Sequence, residues 1–129
     1  MVDDKDKPFE NETHVIIGAA FEVLNVLGHG LLEKTCENAL CVEFKLRDIP
    51  FVQQTSFTVL YKEHKVGKSV PDLIAYGNVI VDAKTIERIT DHECGRMINY
   101  LRIARLPVGP LLNFKRAKLE WRRVILTDH

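Results

Sequence analysis

Asp72, Asp82 and Lys84 are the residues of this sequence best suited to chemistry. Asp82 and Lys84 stand two apart in the run VIVDAKT, so strand alternation puts both side chains on one face. Asp72 follows Pro71 in the run SVPDLIAY. Aspartate is a poor strand former, and these two interrupt the apolar runs LIA and VIV. Such a placement costs stability unless a metal, water or Lys84 satisfies the carboxylates. Two nearby carboxylates also hold each other's protons unless a cation intervenes. All-oxygen ligands suit Mg²⁺ or Mn²⁺ rather than zinc. An ion held there would polarise a phosphate and lower the pKa of a bound water, with Lys84 beside it to orient that water or steady developing charge. Glu33, on a helix earlier in the chain, is the candidate third metal or water partner. The plainer reading makes Asp82 and Lys84 a surface ion pair, Asp72 a turn residue and Glu33 a first-turn acid favoured by the helix dipole.

Whether the acids meet depends on one turn. Gly77-Asn78 separates the two runs and is a hairpin signature. A two-residue loop pairs Asp72 with Ala83 and turns it away from Asp82 and Lys84. A three-residue loop, Tyr76-Gly77-Asn78, sets Asp72 opposite Asp82 and gathers all three side chains on one face. A shared site therefore expects the three-residue register or a bulge.

The elements that must carry these residues follow from periodicity. Ile16, Ala20, Val23 and Leu27, widened by Ile17, Phe21 and Leu24, predict a helix from Thr13 that packs on two sides and ends at Gly28-His29-Gly30. Cys36, Leu40 and Phe44 predict a second helix from Leu31 to Arg47, with Glu33 on its buried side. Phe51 to Tyr61 is rich in β-branched and aromatic residues and predicts one bent strand or two short ones. Lys62 to Lys65 reads as a polar turn before the hairpin. Thr90 and Glu93 form a capping box for a third helix that carries Met97, Leu101 and Ala104 inward and stops near Pro107. Val108–Phe114 and Leu119–Leu126 read as two strands around Lys115-Arg116-Ala117, although Pro110 is awkward in a central strand.

The chain has 129 residues, 46% hydrophobic and 28% charged, which suits one folded domain and excludes wholesale disorder. Lys+Arg and Asp+Glu are both 18, so a generally polybasic nucleic-acid binder is excluded and any such contact needs a local patch. Residues 1–12 hold five acids against two lysines and read as a flexible acidic tail, leaving 13–126 as the single domain. Residues 101–123 hold seven Lys and Arg, among them Arg102, Lys115 and Arg116, against Glu120 alone. That stretch is either a solvated face or a phosphate-tracking one. No apolar run is long enough to span a bilayer, and MVDDKDKPFENE lacks a signal core, so the expected location is the cytoplasm. Cys36, Cys41 and Cys94 are odd in number and form no CxxC, which argues against a disulfide framework or a zinc site. Gly67-Lys68-Ser69 lacks the upstream glycine of a phosphate loop, and neither HExxH nor GxSxG is present.

Pro71-Asp72 followed by Asp82-Ala83-Lys84 resembles the signature of the PD-(D/E)XK nuclease superfamily. With Gly30-Leu31-Leu32-Glu33 before it and the LLNF strand after the third helix, the block from His14 to Val124 resembles the small GxxExxY proteins, a branch of that superfamily. The resemblance implies an α/β fold with a central mixed sheet flanked by helices, in the order ααβββαββ. It makes Glu33 the helical acid, Asp72 the metal-binding aspartate, Asp82 the second acidic ligand and Lys84 the catalytic lysine. It implies Mg²⁺- or Mn²⁺-dependent hydrolysis of nucleic-acid phosphodiesters, with DNA favoured over RNA and a homodimer suited to cutting two strands. The alternative is an inactive nucleic-acid-binding or interaction module on the same fold. Two positions depart from the pattern. Cys36 replaces the motif's tyrosine. Arg96 stands four residues before Tyr100, where related nucleases carry a glutamine. Arg96 and Tyr100 share a helix face, where Arg96 could bind phosphate, pair with a site carboxylate and compete with the metal, or lie on the surface over the aromatic ring.

Overall fold

The computed structural model describes residues 8–127. Its elements run α1 (Glu10–Leu27), α2 (Glu33–Leu46), β1 (Phe51–Gln53), β2 (Phe57–Tyr61), β3 (His64–Ser69), β4 (Leu73–Ala75), β5 (Val79–Lys84), α3 (Asp91–Ala104), β6 (Val108–Asn113) and β7 (Glu120–Ile125). Five strands form a mixed sheet in the order β1-β4-β5-β6-β7, and β2 and β3 pair separately. Within the large sheet only β5 and β6 run parallel; the other pairs are antiparallel. The large sheet thus keeps the ααβββαββ order, and the β2–β3 hairpin is inserted into it.

The core lies in two layers because the strands alternate. Leu73, Ala75, Val79, Val81, Ala83, Val108 and Leu112 join the apolar faces of α1 and α2. Ile74, Ile80, Leu111 and Val124 join Met97 and Leu101 of α3 on the other side. Phe44 of α2 meets Phe51 of β1 edge-on, with ring centroids 5.7 Å apart.

Four differences from the sequence reading have local causes. Helix α1 opens at Glu10, so residues 10–12 belong to the fold and not to a tail; residues 1–7 lie outside the described residues. Glu10 and Glu12 suit the positive end of a helix, and Phe9 packs on the core. Phe21 and Leu27, expected inside, are each 44% exposed. His64–Ser69 is a strand, because the turn shrinks to Lys62-Glu63, both at positive φ (48° and 70°) as a type I′ hairpin requires. Finally, β6 is central despite Pro110. Its parallel register with β5 runs at Val79↔Val108, passes over Gly109 and Pro110, and resumes at Asp82↔Leu111. The ladder is interrupted where proline has no N–H to give.

Gly109 has its own reason to be small. A Cβ there would stand 2.4 Å from Met97 Sδ and 2.8 Å from the Ile80 carbonyl oxygen. The helix α3 therefore meets the sheet at this point through a bare backbone.

Candidate active site

The β4–β5 connection is the three-residue loop Tyr76-Gly77-Asn78, with pairs Leu73↔Val81, Ile74↔Ile80 and Ala75↔Val79. Gly77 takes φ +70°, and Asn78 closes the turn by donating its N–H to the Ala75 carbonyl at 3.1 Å. One more rung of this register sets Asp72 opposite Asp82. The two carboxyl groups are within hydrogen-bonding reach of each other, and Asp72 Oδ2 also accepts the Ala83 backbone N–H at 3.0 Å. Asp82 is buried, at 3% exposure. Lys84, two residues on, lies 3.1 Å from Asp82 Oδ2 through its Nζ.

The electrostatics of this trio are unbalanced. Burial, then the charge of Asp82, pushes Asp72 up to about 8. Burial pulls Lys84 down, but Asp82 and then Glu33 outweigh it, and Lys84 stays above its ordinary value even with Arg96 nearby. Lys84 is therefore an ammonium, and it neutralises one carboxylate of the pair. The second carboxylate keeps a proton for want of another positive charge.

Glu33 comes to the same end of the sheet from the first turn of α2. One of its oxygens, Oε2, accepts the Thr85 backbone N–H at 3.2 Å, just past the end of β5. It acts on Lys84 electrostatically but is not packed against the two aspartates as a ready third ligand. Among the described residues no three His, Cys, Asp or Glu side chains are so arranged. The donor set that converges is two facing carboxylates, one of them holding a proton a cation would displace. That chemistry fits a hard divalent ion held by Asp72 and Asp82, with Glu33 at the Thr85 N–H just past the end of β5.

The surroundings hold residues the sequence reading missed. Glu37, one turn after Glu33, is buried at 3% exposure. Its Oε2 accepts the side-chain amides of Gln53 and Gln54, each at 2.8 Å, and Lys34 Nζ at 3.3 Å. Gln54 in turn donates its backbone N–H to the Asp72 carbonyl at 2.9 Å. Helix α2 thus holds the end of β1 and Gln54 just after it, and Gln54 holds Asp72. A signal existed: Glu37 shares the buried face of Cys41 and Phe44 at i+4 and i+7. Asn113, opposite Lys84 at the end of β6, is also buried. It exchanges hydrogen bonds with the Ile86 backbone at 2.9 and 3.0 Å and donates to Glu120 at 2.8 Å. Glu120 accepts the Ile89 N–H at 3.0 Å. These bonds fix the loop that joins Lys84 to α3. The capping box then starts that helix as expected, with Thr90 and Glu93 exchanging bonds.

The residues expected to meet nucleic acid fall in two groups. Arg96 and Tyr100 line a groove of about 290 Å³ between α3 and the β2–β3 hairpin, with Lys68, Ser69 and Asn99. Arg102, further along α3, donates to Asn99 at 3.3 Å. Lys115 and Arg116 sit in the β6–β7 turn, where Arg116 pairs with Glu87 at 2.7 Å and also donates to its backbone carbonyl. The 101–123 stretch is not one basic face. Arg122 and Arg123 alternate on β7, so Arg122 reaches Cys94 on the α3 side and Arg123 reaches the Pro8 carbonyl on the α1 side.

Comparison with known proteins bears on the fold and the family. A solved structure titled "Crystal structure of SSO0001" superimposes with a TM-score of 0.61 at 14% identity, over 94% of this chain and 61% of that one. This chain therefore spans less than two thirds of that protein, and the likeness is one of fold. No protein with a curated description matches the sequence. The family model of the PD-(D/E)XK nuclease superfamily matches residues 10–124, from the first residue of α1 into β7, and the chain belongs to that superfamily.

Proposed function

We propose that this protein is a divalent-metal-dependent nuclease that hydrolyses phosphodiester bonds at the Asp72–Asp82–Lys84 site. The observation that carries the reading is the facing pair Asp72 and Asp82 with Lys84 Nζ 3.1 Å from Asp82. Asp72 and Asp82 would hold Mg²⁺ or Mn²⁺. When bound, such an ion polarises the phosphate and makes a water acidic enough to attack. The chain's own residues do the rest. Lys84, kept charged by Asp82 and Glu33, steadies negative charge as the phosphate is attacked. Glu33 reaches the end of β5 at Thr85 and supplies the helical acid of the set. Arg96, whose charge acts on Lys84, offers a phosphate contact at the mouth of the adjoining groove.

The Gly30-Leu31-Leu32-Glu33 entry into α2 supports placing the chain in the GxxExxY branch, with Cys36 buried where the motif has tyrosine. DNA is the proposed substrate, and cutting both strands would take two sites and hence a homodimer. The test is cleavage of plasmid and oligonucleotide DNA and RNA with Mg²⁺, Mn²⁺ or EDTA. Wild type is expected to cut only with metal, and Asp72→Asn or Lys84→Ala to lose at least about a hundredfold, as loss of a charge-stabilising group does. Metal-dependent cutting that survives Asp72→Asn would remove this site from the reaction.

A further inference from the structure

The β2–β3 hairpin has no part in the chemistry proposed above. Its root is packed, with Phe57 against the α3 layer and Ser69 buried. Beyond the root every residue from 60 to 68 is exposed. Alternate residues of a ribbon point to opposite faces, so an unbroken exposed run means that both faces are solvated and the hairpin stands off the body. A bulge between Val59 and Leu60 bends it. It leaves Leu60, Tyr61 and Val66 between 59% and 62% exposed, and carries Lys62, Lys65 and Lys68 against Glu63 alone. The groove lined by Lys68, Arg96 and Tyr100 lies at its base, and the chain passes from Ser69 to Asp72 in three residues.

We infer that the β2–β3 hairpin is an arm that enters the major groove of double-stranded DNA and delivers one strand, through the Lys68–Arg96–Tyr100 groove, to the site beginning at Asp72. The inference rests on the nuclease reading. A cationic ribbon matches a polyanion. A two-stranded ribbon fits the major groove of B-DNA, about 12 Å wide, whereas the A-form RNA groove is too narrow and deep. Exposed Leu60 and Val66, brought together where the register shifts, supply apolar contact to thymine methyls within it.

The test is fluorescence anisotropy in EDTA, where no cutting competes, using labelled duplex DNA, the same single strand, and duplex RNA. The variants are Lys62→Ala/Lys65→Ala/Lys68→Ala and Leu60→Ser/Val66→Ser, with Lys65→Glu alone as a milder change should the triple variant not fold. Wild type is expected to prefer duplex DNA. The triple variant is expected to bind it at least about tenfold more weakly, with the slope of log affinity against log salt shallower by about 2–3, one phosphate contact per lysine. Lys65→Glu shifts both readouts the same way, and the apolar pair weakens duplex binding without changing the slope. Unchanged duplex binding by the lysine variants, or a hairpin-dependent preference for single strands or duplex RNA, overturns the arm. Metal-dependent cleavage by wild type is scored separately. If it occurs while the hairpin variants bind normally, the arm fails and the nuclease reading stands. If it never occurs while binding depends on the hairpin, the nuclease reading fails and the arm stands.

Discussion

Asp72 is buried and faces Asp82 across one rung of the β4–β5 ladder, and that burial, then the repulsion between the two acids, governs how the metal-free protein responds to pH. Asp72 is lifted to about 8 in the fold, against about 3.9 in an unfolded chain. Between those values the native state holds a proton that the unfolded chain has released. Stability therefore falls as pH rises from about 4 to about 8, then levels off. Thermal melts in EDTA across that range are expected to follow this slope in wild type and to flatten in Asp72→Asn, which melts several degrees higher at the alkaline end. Mg²⁺ is expected to raise the wild-type melting temperature there and leave Asp72→Asn unmoved. A wild-type curve that climbs with pH would contradict the assigned environment of Asp72. Glu37 is the second residue with a measurable consequence. Glu37→Leu removes the charged acceptor of the Gln54 amide and one of the two acceptors of the Gln53 amide, which keeps Asn38 Oδ1 at 3.0 Å, and a urea midpoint is expected to report a loss of about 1–3 kcal/mol. The two aspartates were legible because they break apolar strands. Glu37 was legible only in part: its spacing to Cys41 and Phe44 puts it on the buried face of α2, but what it holds there depends on partners sixteen and seventeen residues away.

At the scale of elements, helices were the easier part. The capping box at Thr90 and the stripe through Cys36, Leu40 and Phe44 are local signals, and α3 and α2 follow them closely. The strands needed non-local facts. HKVGKS has little strand character of its own; it pairs because Lys62-Glu63 turns the chain back on β2. Pro110 argued against a central β6, yet β6 has neighbours on both sides, because the parallel ladder simply passes over the proline. The same stretch holds the tightest contact between α3 and the sheet. Gly109→Ala must push Met97 aside and still crowd the Ile80 carbonyl, so chemical denaturation is expected to show a loss of about 1–3 kcal/mol. A cost below a few tenths of a kcal/mol would mean that α3 rides more loosely on the sheet than the packing shows.

At the scale of the whole molecule, the sheet separates two apolar layers that share no side chains among the described residues. Leu40 belongs to one and Leu101 to the other, and both are fully buried. Leu40→Ala and Leu101→Ala are each expected to cost about 2–5 kcal/mol. In milder pairs such as Leu→Val the two losses should add to within about 0.5 kcal/mol. Strong non-additivity would show that the layers are coupled through the strands. Charge is also a whole-molecule property, and here sequence order misled. The cations of 101–123 are contiguous in the chain but are dealt to both faces of β7 and to an ion pair with Glu87, so summing along the sequence overstated the patch. The bare backbone at Gly109 reaches further than its packing energy. Met97 sits over it with no exposure, its sulfur packed against the glycine backbone and out of reach of solvent. Peroxide can convert that thioether to a sulfoxide only during moments when α3 lifts away, and the polar product cannot be reseated. The rate at which Met97 gains sixteen mass units under mild oxidant is thus a clock for helix detachment, readable by peptide mass spectrometry without any label.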